Sequence, residues 1–447
     1  MSCVMLFRFS LYGFLKNQRY FEPFFLLILL DRGLSFTAVG FLIAFRELVV
    51  NLLEIPTGAI ADVCGRRASL ILSFLAYIAA FAVFAEAASL PWLYAAMFCF
   101  AVGEAFRTGT HKAMIFTWLR LNDREHERTK VYGYTRSWSQ LGSAASVVVS
   151  AVFVLVSGDY AAVFYLSIAP CALNIVNFLG YPREVDGERS GASLGAVVRH
   201  TWRSLRDSFR KPGLRGLVLE SVGFEGTFDA VKDYLQPVLS AAALAAAAHG
   251  VSVERYSDPQ RAALFIGPVY FVVFILTSLG SRHAHRFCEK VGGEERAAGR
   301  LWAVASAVYA LLTIAAFTAP GVSDSGAQEA PRAAGFSLGG AAMIAAFVAL
   351  HVAQNVWRPI LISRFDTHGS EAQGATILSI ESQAQRIGTM LIAPLIGAAV
   401  DTVARHGPGG AFWPVGAIGA TIACAFTILA RARRSRAPLT DPADPRP

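Results

Sequence analysis

Apolar runs of roughly twenty residues recur along almost the whole of this chain, each long enough to cross a hydrocarbon core about 30 Å thick. Of the 447 residues, 54% are hydrophobic and only 16% charged. That is too little charge to cover the surface of a water-soluble fold of this size. Membrane barrels show short alternating segments instead of long runs, and none is visible. A lipid-embedded chain must satisfy its backbone internally. The pattern therefore predicts an all-α polytopic membrane protein.

At about twenty residues per crossing, with turn signals as boundaries, about twelve spans are predicted. They lie near 11–30, 38–56, 68–86, 91–113, 131–156, 160–181, 214–239, 262–280, 299–319, 336–358, 374–400 and 411–430. Lys and Arg collect in alternate connections. One side holds Arg66, Arg67, Arg120, Arg124, Arg128, Lys130, Arg282, Arg286, Lys290, Arg296 and the tail residues Arg431, Arg433, Arg434 and Arg436. The positive-inside rule then predicts an N-in, C-in chain. The net charge of +8 orients the protein in a bilayer, and no nucleic-acid partner is expected. The six cysteines have no metal-ligand spacing and suggest no disulfide framework. No cleaved signal peptide is read at the N-terminus.

A long inside connection divides the chain into two six-helix halves, 1–181 and 214–430, joined by 182–213 and followed by a basic tail, 431–447. In the connection, Leu194, Val198, Trp202, Leu205 and Phe209 alternate with Arg199, Arg203, Arg206 and Arg210 at helical spacing. This predicts a basic amphipathic helix on the inner membrane face, held by anionic lipid, with a protein-binding helix as the alternative. The halves echo each other. Gln140-Leu-Gly142-Ser in the fifth span matches Arg386-Ile-Gly388-Thr in the eleventh, and at the same offset Lys112 falls on Arg358. Duplicated halves are a common transporter plan.

Between the second and third spans lies Gly58-Ala-Ile-Ala-Asp62-Val-Cys-Gly65-Arg66-Arg67. Glycines permit close approach of helix ends. Asp62 is suited to a helix N-terminus or a basic partner, and the arginines hold the turn inside. The stretch resembles the signature loop of the major facilitator superfamily in residue pattern and in place. Gly280-Ser-Arg-His-Ala-His-Arg286, read as the second-half counterpart, lacks the acid. The fifth span, Arg136-Ser-Trp-Ser-Gln140-Leu-Gly142, also lacks the Gly-Pro pattern that drug/proton antiporters often carry there. The resemblance implies a transporter in which helices one, four, seven and ten line a central cavity. It also implies that Gly58, Asp62, Gly65, Arg66 and Arg67 latch the halves in the outward-open state.

Ionisable groups at membrane depth face a cavity or a partner by default. Arg19 lies about 18 Å below the outer end of the first span, with Glu22 an i, i+3 neighbour. Arg46 and Glu47 are near mid-depth in the second span, and Glu104 and Arg107 form another i, i+3 pair in the fourth. Glu225, Asp229, Lys232 and Gln236 share one face of the seventh, bordered by Asp233. Gln354 and Asn355 align in the tenth with His351, and Glu381 and Arg386 lie in the eleventh. The structural alternative is helix-gluing ion pairs. The three acids against one lysine in the seventh span make Glu225 or Asp229 the candidate proton carrier.

No phosphate-binding loop is visible, and no cofactor or metal is expected. The reading is a monomeric secondary transporter of the cytoplasmic membrane. It would move a polar or zwitterionic organic solute, with protons as coupling ion and a mild preference for export. The alternatives are a membrane enzyme acting on lipid, with His283, His285 and Glu289 as its nearest cluster, and a non-transporting sensor.

Overall fold

In the computed structural model residues 2–186, 212–248, 255–319, 338–366 and 374–436 are described, with 195 and 199. The predicted amphipathic helix between the halves lies almost wholly outside these residues. All regular structure among the described residues is helical.

Among the described residues, nine helices are long and apolar enough to cross a membrane. They are α3 (Phe36–Cys64), α4 (Arg66–Glu86), α7 (Arg128–Ser157), α8 (Ala162–Leu179), α11 (Asp258–Val291), α12 (Glu294–Thr318), α13 (Leu338–Asp366), α14 (Gly374–His406) and α15 (Trp413–Arg436). The remaining segments are interrupted, which the apolar runs did not reveal. The first is α1 (Ser2–Lys16), a 3-10 turn at Glu22–Phe24 and α2 (Phe25–Asp31). The fourth is α5 (Leu90–Arg107), a break at Thr108 and Gly109, and α6 (Thr110–Leu121). The seventh is α9 (Pro212–Val231), a 3-10 turn at Lys232–Tyr234 and α10 (Leu235–Ala248).

Local chemistry explains the first break. Pro23 has no N–H to give the Arg19 carbonyl, and Glu22 N–H takes that oxygen instead at 3.1 Å. Neighbouring polar side chains bind backbone across the break. Asn17 donates to the Gly13 and Ser139 carbonyls, and Gln18 to that of Gly142. At the fourth segment Gly109 takes φ +74°, a conformation glycine adopts without strain.

Several predicted ends shift. The second span does not stop at Pro56 but continues to Cys64, because its loss of one donor is tolerated near a helix end. Gly65, at φ +99°, is the entire connection between α3 and α4. Similarly, Gly280–Arg286 is not a loop. Helix α11 carries it as a charged, partly solvated extension to Val291, and the turn is Gly292-Gly293, at φ +84° and +111°.

The two halves repeat a packing detail. A Cβ on Gly142 of α7 would lie 2.5 Å from the Phe14 carbonyl oxygen, and one on Gly388 of α14 would lie 2.6 Å from that of Val222. The echoed glycines therefore seat the fifth helix on the first and the eleventh on the seventh. Small residues at such crossings are how helices pack without a hydrophobic driving force in lipid.

The ends of the bundle differ. At the end holding Phe36, called the far end here, the halves meet tightly. Asp401 of α14 accepts from Phe36 N–H at 3.1 Å and Thr37 N–H at 2.8 Å, capping α3 across the halves. Phe36 stacks on Tyr234 at 5.5 Å. Gln260 donates to the Leu155 carbonyl at 2.7 Å. At the opposite end, which holds Gly65, the loop is tied into its own half. Arg67 N–H bonds Asp186 at 2.7 Å, its guanidinium bonds the Tyr181 carbonyl, and Arg66 bonds Thr117.

Candidate functional site

Between the halves lies a cavity in two connected lobes of about 580 and 630 Å³. Asn17, Gln140 and Ser143 line both lobes. The first lobe is built on the interrupted first and seventh segments, with Arg19, Glu22, Lys232 and Asp233 in its wall. The second runs toward the loop end, past Lys16, Arg107, Lys112 and Arg136. The breaks thus place charged side chains and irregular backbone where they line a cavity, the situation in which a membrane interior tolerates them.

In the first half, Glu104 is the hub. It accepts from Arg19 at 2.7 Å, from Arg107 at 2.7 Å and from the Tyr77 hydroxyl at 2.7 Å. Arg107 also donates to Tyr77 at 3.0 Å. The expected Glu104–Arg107 pair is present. The expected Arg19–Glu22 pair is loose at 3.9 Å, because Arg19 turns to the nearer acid on another helix. Tyr77 was missed; an apolar run with one tyrosine carries no signal of a polar role.

In the second half the hub is Arg358. It binds Glu381 through two bonds at 2.8 and 3.2 Å, Gln385 at 3.0 Å and Glu225 at 3.3 Å. Ser221 donates to Glu381 and Gln354 to Glu225, both at 3.0 Å, and Asn355 donates to Gln354. Asp229 is held by Lys232 at 3.0 Å and by Gln385. Glu225 and Glu381 are 1% exposed, and Glu225 Oε1 has no hydrogen-bond partner. Arg358 was not among the expected site residues, since the tenth span was ended at it. Helix α13 in fact runs to Asp366 and carries Arg358 into the cavity wall.

Two expected members have partners other than those on their own helix stripe, and one of them, Arg386, still lines the loop-side lobe. Gln236 is fully buried and spans the halves, accepting from Leu26 N–H and donating to the Glu22 carbonyl, both at 2.9 Å. The 3-10 turn at Lys232 rotates it away from the Glu225–Asp229 face. Arg386 likewise leaves Glu381 and reaches Glu47 and Glu54 of the other half, at 3.6 and 3.9 Å. Arg46 donates to Glu47 at 2.8 Å. Glu220 serves a separate bridge to Arg364 at 2.6 Å, which also binds Glu295. Of the signature loop, Gly65 and both arginines make the contacts given above, a Cβ on Gly58 would meet open space, and the Asp62 side chain lies outside the described residues. His285 pairs with Glu289 on an exposed helix face, while His283 bonds the Leu279 carbonyl.

The family model of the Major Facilitator Superfamily matches residues 3–356. Among solved structures, a variant of the nucleoside transporter NupG superposes with a TM-score of 0.73 at 12% identity, covering 96% of this chain and 99% of the other. A POT family transporter in complex with 5-aminolevulinic acid gives 0.68 at 12%, covering 96% of each chain. A D-xylose-proton symporter gives 0.62 at 13%, covering 95% and 96%. At such identities the likeness is one of fold. Among curated protein sequences none matches. The signature loop, the paired halves around a charged cavity and the family match agree, and the chain belongs to the Major Facilitator Superfamily.

Proposed function

We propose that the protein is a secondary active carrier that moves a small polar or zwitterionic organic solute across the cytoplasmic membrane, driven by protons. The observation that carries this reading is one cavity between the halves, faced by a charged cluster from each, closed at the far end and running toward the loop end. Solute sites at a repeat interface, exposed in turn by rocking of the halves, are the common transporter plan. With about twelve crossings and the basic loops inside, this form faces the cytoplasm. Export is the preferred direction on family grounds, and a monomer suffices.

Two buried carboxylates on one guanidinium leave a surplus negative charge. A proton on Glu225 removes that surplus, and the open Oε1 gives it a place to sit. Asp229 is less suited, being engaged by Lys232 and Gln385. The signature loop engages the second half when the loop end closes, with Asp62 as its acid.

The test is thermal-shift screening of purified protein against a solute library, followed by counterflow of each stabilising solute in liposomes with and without a pH gradient. Solute counterflow that a pH gradient accelerates supports the carrier. Stabilising solutes that are not carried would overturn it. Asp62→Asn is expected to slow exchange without loss of insertion, and a wild-type rate would remove the latch role.

A further inference from the structure

The two lobes of the cavity differ in chemistry. In the loop-side lobe, Lys16, Lys112 and Arg136 make no ion pair among the described residues, and Arg107 shares the lobe's acid, Glu104, with Arg19. Lys16 lies over the Tyr12 ring at 5.5 Å and Lys112 over Tyr132 at 5.3 Å. Aromatic faces hold these ammonium groups in place without neutralising them. A cationic pocket open to water is an anion receptor in the same way as any Arg and Lys cluster.

The other lobe is different. Its α7 and α11 walls present Val147, Tyr270, Val273, Phe274 and Ile275 together with Ser146, Thr277 and Ser278, and its acids Glu22 and Asp233 are outnumbered by Arg19, Lys232 and Arg282. Ile275 and Leu279 line this lobe and are each 45% exposed, so the cleft between α7 and α11 is accessible and partly apolar. A purely polar solute has no use for that cleft, and a purely apolar one has none for the lysines.

Resting on the carrier reading above, we infer that the solute is an amphiphilic organic anion. Its carboxylate or phosphate head sits against Lys16, Arg107 and Arg136, and its apolar body lies in the cleft between α7 and α11. Three acids of the second half are engaged and not free for a cationic solute, since Arg358 holds Glu225 and Glu381, and Lys232 holds Asp229, while Asp233 shares its lobe with Lys232 and Arg282.

The experiment is a binding titration on the whole protein in neutral-lipid nanodiscs. The probes are octyl phosphate, octanoate, octylammonium, inorganic phosphate and acetate. Both octyl anions are expected to bind, and octylammonium and the two tailless anions to bind at least about tenfold more weakly. The double variant Lys16→Gln/Arg136→Gln is expected to weaken the octyl anions by about tenfold or more, while Lys16→Arg/Arg136→Lys, which keeps the charge, restores them. Lysophosphatidate added to the bilayer as competitor separates a membrane-resident solute, which displaces octyl phosphate, from a soluble one, which does not. Octylammonium binding as tightly as the anions, or full anion affinity in the charge-removed variant, overturns the inference. Failure of the carrier reading looks different: the octyl anions bind in a charge-dependent way but show no counterflow. Conversely, counterflow of a cationic or neutral solute that octyl phosphate does not inhibit sinks the anion assignment and leaves the carrier standing.

Discussion

The charged hubs of the two halves are inverted copies of each other. In the first half one carboxylate, Glu104, serves two guanidiniums, Arg19 and Arg107. In the second, one guanidinium, Arg358, serves two carboxylates, Glu225 and Glu381. The same helical plan, with its interrupted first and seventh segments, thus carries opposite surplus charge on its two sides. The burial differs as well. Glu225 and Glu381 are 1% exposed, whereas the Arg19 side chain is 30% exposed. A surplus on a sealed carboxylate is relieved by taking a proton, while a surplus on a cavity-facing guanidinium attracts a mobile anion. On the carrier reading proposed above, the second hub would serve the coupling ion and the first the solute.

The largest effect is expected from removing the second hub. Arg358→Ala leaves two sealed carboxylates without their cation, which costs roughly 3–5 kcal/mol. Thermal denaturation in detergent measures it, and a near-wild-type midpoint would show that the acids find another cation. Glu104→Gln is expected to cost less, about 1–3 kcal/mol, because water in the cavity reaches both arginines. It should also abolish transport at wild-type expression. A loss of stability as large as that of Arg358→Ala would end the distinction in burial between the hubs. Glu225→Gln is expected to change stability by under about 1 kcal/mol, since one acid remains for one guanidinium, while removing the response of counterflow to a pH gradient. An undiminished pH response would move proton coupling off this hub. The smallest functional effect is expected at the far end. Asp401→Asn keeps one acceptor for the α3 amides and costs about 0.5–1.5 kcal/mol. It should raise the labelling rate by a water-soluble maleimide of a Ser240→Cys reporter, half-buried on α10, and an unchanged rate would leave Asp401 without a role in closing that end.

What was legible in the sequence follows from distance along the chain. Fold class follows from run length, and the echoed glycines follow from a repeat. Glu104–Arg107 is an i, i+3 pair, so helical spacing suffices to find it. Arg19–Glu104 joins different helices, and only the fold brings these groups together. The helix breaks do carry polar interruptions, at Asn17–Pro23, Thr108-Gly109 and Lys232-Asp233, but run length reads such residues as charges on a continuous span. Arg358 was lost to a boundary drawn by hydropathy, since a charged residue near the expected end of a span reads as the beginning of a loop. The face containing Gln236 failed for a related reason: a single 3-10 turn rotates every later residue away from the stripe that regular helical spacing predicts.

Gln236 has one more consequence. Its amide supplies both a donor and an acceptor to backbone groups that the broken first segment leaves open, from the opposite half of the protein. The halves therefore cannot part at the far end until those two backbone groups find water in a place that excludes it. On the carrier reading proposed above, Gln236 would weigh on the rate of opening rather than on the affinity for cargo, through a side chain that need never touch what is carried.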